Sequence, residues 1–431
     1  MAYLDLLRSN QTFRRLWFAQ LISLGGDWFN VVALTGLLLR LTGSSFYGGA
    51  VLATGLLPQF LLSPLAGVVA DRFDRRRLML GADLVAAVAA LSMLAVRTRG
   101  SVWLGLVALG CIAACGAFFD PASRSGLPNV VEADQLDAAN VLMSSAWGIM
   151  VAVGAAAGGL VAGLLGRDAA FIANAGSFVV SATLIAGVHR RLGPFHGDGG
   201  GEDRTRLRPL RDLREGAAWA RGDGRVVALL AQKVGFGLGT GMIGLLPVFA
   251  TRLSTGHGAW PAEAAIGLLY GARGLGTLVG PFGARMLIRG DLRRLFPAIA
   301  GAMALFGAAY ALFPAAPGLW AAAGIVLVAH LGGGTQYTMT GYGLQQLTPD
   351  WVRGRIMSFE LCLVTLSMSL SLLGAGWAAL VMDPRAVVEV LAGLTLAYAA
   401  VWALATLRFW RSSSGMSTRR SGRAVRSTGS A

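Results

Sequence analysis

The amino-acid sequence predicts an all-α polytopic membrane protein with twelve transmembrane helices in two six-helix pseudo-repeats. Three observations predict it: an apolar composition with little charge, twelve long apolar segments, and motifs that return after half the chain. Of 431 residues, 55% are hydrophobic, 60 are glycine and only 14% are charged. A soluble domain carries about a quarter charged residues, so this chain lacks the polarity to cover a water-facing surface. Soluble globular, disordered and collagen-like classes are thereby excluded. The net charge of +15 has to be explained within a membrane protein.

A spanning helix needs about 20 mostly apolar residues. Segments of that kind run near 14–40, 46–70, 78–96, 102–126, 138–166 and 168–189, then 226–251, 262–288, 295–313, 317–346, 354–382 and 385–408. The first follows Arg14 and Arg15 as a signal peptide would, but it is too long and lacks a small-residue cleavage site, so it reads as a retained helix. Residues 1–189 and 226–410 are thus expected as two six-helix halves. The connection 190–225 reads as a cytoplasmic linker. It opens with a flexible stretch, His196 to Asp203. Leu207, Leu210, Leu213 and Trp219 among Arg208, Arg211 and Arg214 then suggest a short amphipathic helix on the membrane surface. The Ser/Gly/Arg-rich tail 411–431 reads as disordered.

Orientation follows from the basic residues. With a cytoplasmic N-terminus and alternating spans, 30 of the 37 Lys/Arg fall on the cytoplasmic side, in the stretches before 16, 71–77, 190–233, 285–294, 353–355 and 408–426 and at Arg124. Cytoplasmic enrichment in Lys/Arg sets topology, so both termini are expected inside a cell (inner) membrane crossed many times. Spread over short segments beside apolar helices, these residues do not make a nucleic-acid patch.

The halves repeat. Ser63-Pro-Leu-Ala-Gly67 ends the second span ahead of Asp71-Arg72 and Arg75-Arg76-Arg77, and Gly280-Pro-Phe-Gly283 ends the eighth ahead of Arg289 and Arg293-Arg294. Pro64 and Pro281 are 217 positions apart, as are Arg76 and Arg293. A weaker echo, about 215 residues apart, pairs Asp134–Asn140 with Thr348–Arg355. Two six-helix halves in parallel repeat are the layout of a secondary transporter, with its substrate path between them.

Gly67-Val-Val-Ala-Asp71-Arg72-Phe-Asp-Arg75-Arg76-Arg77 resembles the signature loop of the major facilitator superfamily, with Asp74 in place of its second glycine. A carboxylate and arginines at a cytoplasmic mouth can pair and hold two halves in one of two states. Gly67, Asp71, Arg72, Arg75 and Arg76 are therefore candidate gate residues, with Asp83 and Asp120 (beside Arg124) as further partners. Gly154-Ala-Ala-Ala-Gly158-Gly159 resembles the superfamily's antiporter motif with Ala155 at its proline position; close helix packing explains the same glycines, and both readings stay open. Gly25-Gly26-Asp27-Trp28-Phe29, Thr42-Gly-Ser44, Phe119-Asp120-Pro121-Ala122 and Pro349 to Arg355 narrow the resemblance to the branch holding the enterobactin exporter and macrolide efflux proteins. That resemblance covers roughly residues 10 to 408. It implies alternating access and proton-driven export, and leaves the cargo undefined.

Ionisable groups at bilayer depth are costly and mark transport paths. Asp27, Arg273 and His330 fall near the middle of spans one, eight and ten, and Glu360 about two turns into span eleven. Asp27 is the leading proton site, because a carboxylate in a low-dielectric cavity can load and release a proton as it opens to each side. A structural hydrogen bond, with Arg273 as a partner, is the alternative. Arg273 and Glu360 are candidate counter-ions, and Gln59, Asn174, Gln336 and Tyr337 candidate cavity linings. Trp28, Phe29 and Trp147 are available to stack on cargo. Cys111, Cys115 and Cys362 read as packing residues rather than ligands.

The expected function is proton-coupled export of drug-like or siderophore-like small molecules by a rocker-switch. Partners are then a small-molecule substrate, protons as coupling ion and the lipid bilayer, with no cofactor, metal or nucleic acid. The lone lysine, Lys233, precedes Val234 rather than Ser or Thr, so no ATPase phosphate loop is present in the chain. No enzymatic motif is found. An uncoupled facilitator or importer of the same fold, or a non-transporting sensor or scaffold, are the alternatives.

Overall fold

In a computed structural model of the chain, residues 2–132, 135–188, 215, 217–254, 260–288 and 292–411 are described. After a short helix, Ala2–Ser9, come α1 (Gln11–Thr42), α2 (Phe46–Arg72), α3 (Arg75–Ser92), α4 (Val102–Gly126), α5 (Leu136–Leu164) and α6 (Arg167–Ala186). The second set is α7 (Gly224–Ser254), α8 (Ala262–Ile288), α9 (Leu292–Leu312), α10 (Leu319–Leu347), α11 (Asp350–Val381) and α12 (Pro384–Arg411). Ten of the helices are long and apolar enough to cross a membrane; α2 and α8, each of 27 residues, complete the twelve. Corresponding helices start at Phe46 and Ala262, Arg75 and Leu292, Val102 and Leu319, and Arg167 and Pro384. Those starts differ by 216 or 217 residues, the offset seen in the motifs. The amphipathic stretch 207–214, Arg289 and the tail beyond 411 lie outside the described residues; Trp219 is helical.

Local chemistry fixes the turns. Asn10 caps α1 by accepting from the Phe13 N–H, and Gly43, at φ +67°, closes it in the left-handed conformation. A left-handed residue there suits glycine, which has no Cβ to clash. Asp74, which replaces the signature glycine, caps α3 by accepting from the Arg76 and Arg77 N–H groups at 2.9 and 3.3 Å. α7 breaks at Thr240, where the helical ladder loses bonds that lipid cannot replace. Ser371 of α11 repairs it: its hydroxyl accepts from the Gly241 N–H at 3.0 Å and donates to the Leu238 carbonyl.

The two halves meet along two antiparallel seams, α5 against α8 and α2 against α11. At the end carrying Gly43, backbone touches backbone. A Cβ at Gly159 would lie 2.7 Å from the Gly267 Cα, and one at Gly49 would lie 2.2 Å from the Leu372 carbonyl oxygen. Small residues permit this close approach in membranes. A buried cluster spans the seam there, with Val32 and Ala155 of the first half packed among Ile243, Leu246, Ala265 and Leu269 of the second. Arg40 of α1 also reaches Glu263 of α8 at 2.7 Å.

Candidate functional site

Three buried polar clusters sit inside this frame. In the first half, Asp27 on α1 faces Asn174 on α6. Asn174 is fully buried; its Oδ1 accepts from the Ser177 hydroxyl at 3.0 Å, while its Nδ2 and the Asp27 Oδ1 lack hydrogen-bond partners. Gly26 makes the arrangement possible, since a Cβ there would lie 2.2 Å from the Asn174 Oδ1 and 2.1 Å from the Ser177 hydroxyl. Asn30, one turn further along α1, is fully buried with both polar atoms unpartnered. Asp83 and Asp120 are near enough to act electrostatically on Asp27.

The second cluster lies in the other half. Arg273 on α8 is partly exposed and has the Trp28 ring 5.8 Å from its guanidinium carbon. Around it are Tyr270, Tyr310 and His330, all acting on it electrostatically and all buried. Both tyrosine hydroxyls and the His330 Nε2 lack partners. The His330 Nδ1 lies 3.0 Å from the Val326 carbonyl, which can only accept, so Nδ1 carries the proton there. Arg273 and Asp27 are not brought together: Arg273 has no hydrogen bond or ion pair among the described residues, so the pairing considered for Asp27 is not made in this state.

The third cluster joins α7, α10 and α11. Lys233 Nζ lies 2.6 Å from Glu360 Oε1, with both side chains buried. Lys233 also donates to the Tyr337 carbonyl at 2.9 Å and sits 3.5 Å from the centre of the Tyr337 ring. Beside it, Gln232 Nε2 donates to Gln336 Oε1 at 2.9 Å, and the Thr340 hydroxyl donates to Gln232 Oε1 at 2.8 Å. Glu360 thus takes Lys233, not Arg273, as its counter-ion. Lys233, counted with the orienting basic residues of 190–233, is 1% exposed inside α7. A buried pair survives when such additional bonds satisfy its remaining polar atoms.

The arginines of the signature loop hold helix ends. Arg75 is buried and donates to the Ser125 carbonyl at 2.9 Å, near the end of α4. Arg76 donates to the Ile185 carbonyl at 3.2 Å and to the Ala186 carbonyl, and Arg15 to the Gly187 carbonyl. Cations at helix C-termini satisfy carbonyls that have no helical donor and complement the macrodipole. Asp83 is buried, with Oδ2 accepting from the Ser181 hydroxyl at 2.7 Å, and Asp120 has Arg124 as its electrostatic partner. Gly67, Asp71 and Arg72 occupy the last turns of α2, and their side chains lie outside the described residues. Gln59 is exposed on α2 and belongs to none of the clusters.

Gly154 and Gly158 give α1 its seat, with added Cβ atoms falling 3.2 Å from the Gly25 Cα and 2.7 Å from the Phe29 Cα. Gly159 serves the seam to α8 instead. Close packing therefore accounts for these glycines.

Residues 6–423 match the family described as transmembrane secretion effector. The chain belongs to that family, within the major facilitator superfamily. The multidrug efflux pump Tap of Mycolicibacterium fortuitum is 30% identical over 177 residues, 39% of this chain and 43% of that protein. Macrolide efflux protein A of Streptococcus pyogenes is 32% identical over 126 residues, 29% of this chain and 31% of that protein. The matched stretches thus span less than half of each relative. Among solved structures, the nucleoside transporter NupG aligns with a TM-score of 0.69 at 10% identity, over 93% of this chain and 99% of that one. A bacterial homologue of the lysosomal transporter Spinster aligns with a TM-score of 0.65 at 16% identity, covering 93% and 95%. At such identities these likenesses show the fold alone. The chain is a multi-pass membrane protein of that family.

Asn30, Lys233, Gln232, Thr340, Tyr270 and Tyr310 were not among the sequence candidates. Asn30 stands three residues after Asp27, on the same helix face. Lys233 is flanked by Leu229, Leu230 and Val234, and charge inside an apolar span is itself the signal.

Proposed function

We propose that the protein is a proton-coupled exporter of small molecules, drug-like or siderophore-like, working as a rocker-switch between its two halves. The observation that carries the reading is the Asp27 carboxylate. It lies well inside a spanning helix, with Oδ1 unpartnered beside Asn174 and, among the described residues, with no arginine or lysine paired to it. A carboxylate in that setting exchanges a proton instead of anchoring a permanent ion pair. With both termini cytoplasmic, the end sealed by Gly49, Gly159 and Gly267 faces outward, so this state is closed to the exterior. The arginine loop then lies at the cytoplasmic mouth. Opening the outer seal while the signature-loop residues Asp71, Arg72, Arg75 and Arg76 engage the second half completes the cycle. The efflux pumps similar in sequence support export as the direction.

The test is efflux of a fluorescent dye from energised inverted vesicles, with and without a proton uncoupler, for the parent and Asp27→Asn. Uncoupler-sensitive transport that Asp27→Asn abolishes is expected. Uncoupler-insensitive movement would indicate a facilitator, and full proton-driven transport by the variant would remove Asp27 from the coupling step.

A further inference from the structure

The Arg273 cluster is not needed for moving a proton through Asp27, and its chemistry is that of a receptor. A guanidinium near the middle of a spanning helix is costly unless an anion accompanies it. Glu360 is taken by Lys233, Glu263 by Arg40 and Asp83 by Ser181, and Asp27 has no contact with Arg273. Among the described residues, Arg273 has no ion pair or hydrogen bond, only the Trp28 ring 5.8 Å away. Three more polar atoms near it, the hydroxyls of Tyr270 and Tyr310 and the His330 Nε2, are buried and unpartnered. Such groups cost free energy unless something satisfies them. Arg273 alone in this group keeps part of its surface open. It also stands where the halves face each other, because Trp28 belongs to the first half and Arg273 to the second.

We propose that Arg273 is the recognition point for a carboxylate on the cargo, whose aromatic or apolar body lies along Trp28. Guanidinium offers two parallel N–H donors that match the two oxygens of a carboxylate. The tyrosine hydroxyls give the carboxylate further donors as the site closes around it. Trp28 supplies a flat apolar face on the opposite half, so one ligand touches both halves. The inference rests on the transport reading above and narrows it to acidic amphipathic molecules.

Binding is measured by titration calorimetry on the full chain in lipid nanodiscs, with no proton gradient, using 2-naphthoate and its neutral isostere 2-naphthamide. The parent should prefer the acid by about tenfold or more, the worth of a charge-assisted hydrogen-bonded pair. Arg273→Gln should lower acid affinity by a similar factor and erase the acid–amide difference. Arg273→Lys should keep part of it, because the charge remains and the fork does not. Gly301→Ala, where nothing lies within 4 Å of an added Cβ, should bind the acid as the parent does. Equal affinity of the parent for acid and amide, or undiminished acid binding by Arg273→Gln, overturns the proposal. If Arg273→Gln fails to fold, the parent's acid–amide ratio and Arg273→Lys decide. Acid binding without uncoupler-sensitive efflux would sink the transport reading and leave the receptor standing. Uncoupler-sensitive efflux of a dye with no acid preference would do the reverse.

Discussion

At the end of the bundle that carries Gly43, the halves touch through backbone, glycine against glycine, with Arg40 and Glu263 bridging them. At the end that carries Asp74, the contacts described run within each half. Arg75, Arg76 and Arg15 hold the ends of α4 and α6, while Arg355 of the second half pairs at 2.7 Å with Glu215 of the connection that leads into it. The difference has a physical basis. Close backbone packing is short-ranged and all-or-none, so it suits a seal that is either shut or parted. Arginine reaches far and can exchange one acceptor for another, so it suits an end whose partners change. In this state the first end therefore holds the halves to each other, and the described contacts of the second hold each half together.

The largest expected effect follows from the seal. Gly159→Val places atoms 2.6 Å from the Glu263 carbonyl oxygen and 2.7 Å from the Gly267 Cα, and backbone cannot move aside as a side chain can. The seam must part, and transport should fall to the level of vesicles lacking the protein. Thr35→Cys, fully buried in α1, reports the opening when Cys111, Cys115 and Cys362 are replaced by alanine. A membrane-impermeant maleimide added outside should label it only when Gly159→Val is present. Gly301→Ala, where nothing lies within 4 Å, is the matched control and should change neither readout. Labelling that ignores Gly159 would break the contrast between the two ends.

How much of this was legible in the sequence differs by length scale. Twelve helices and their repeat were readable because each crossing demands a long apolar stretch, and two equal halves leave a constant offset. Asp27 was readable as a candidate because a carboxylate amid glycines and aromatics stands out in a span. Its neighbour Asn174 was readable only as a candidate, since their meeting depends on Gly26 letting α6 approach, a contact no linear spacing encodes. Glu360 illustrates the limit from the other side. Its partner Lys233 looked like one more orienting cation, because the basic run and the start of α7 adjoin. Gln59 stands apart for a simpler reason: polarity says nothing of which neighbours a helix face will meet, and the exposed Gln59 of α2 joins none of the three clusters.

Lys233 and Glu360 sharpen the second half of the contrast. Lys233→Met strands a buried carboxylate and should lower stability by about 3–5 kcal/mol, the loss typical when one partner of a buried pair is removed. Lys233→Met with Glu360→Gln removes both charges and should recover most of that loss. Thermal unfolding in detergent, followed by light scattering and tryptophan emission, separates the two. Neither variant should expose Thr35→Cys to the maleimide. A double variant as unstable as the single one would mean that the pair is not what holds α7 to α11, and exposure of Thr35→Cys would mean that this pair sets the state.

The smallest effect tests the same division at the start of α7. Asp223 caps that helix by accepting from the Arg225 N–H at 2.9 Å, and its Oδ2 lies 2.7 Å from the Arg225 guanidinium. Partial burial pushes its carboxyl up, but the bonds from Arg225 and the Val226 N–H outweigh that and hold it below the usual carboxylate range. A carboxyl depressed on folding contributes stability that is present above its unfolded value and disappears as pH falls through the folded one. Asp223→Ala should therefore cost about 1 kcal/mol at neutral pH, as loss of an N-cap does. The gap between parent and variant should close as the medium is acidified below the usual carboxylate range. Transport by Asp223→Ala should match the parent, since the bond ties α7 only to itself. A gap that widened on acidification would mean the carboxyl is held up instead of down, and reduced transport with unchanged stability would give the Asp223 cap a part in switching.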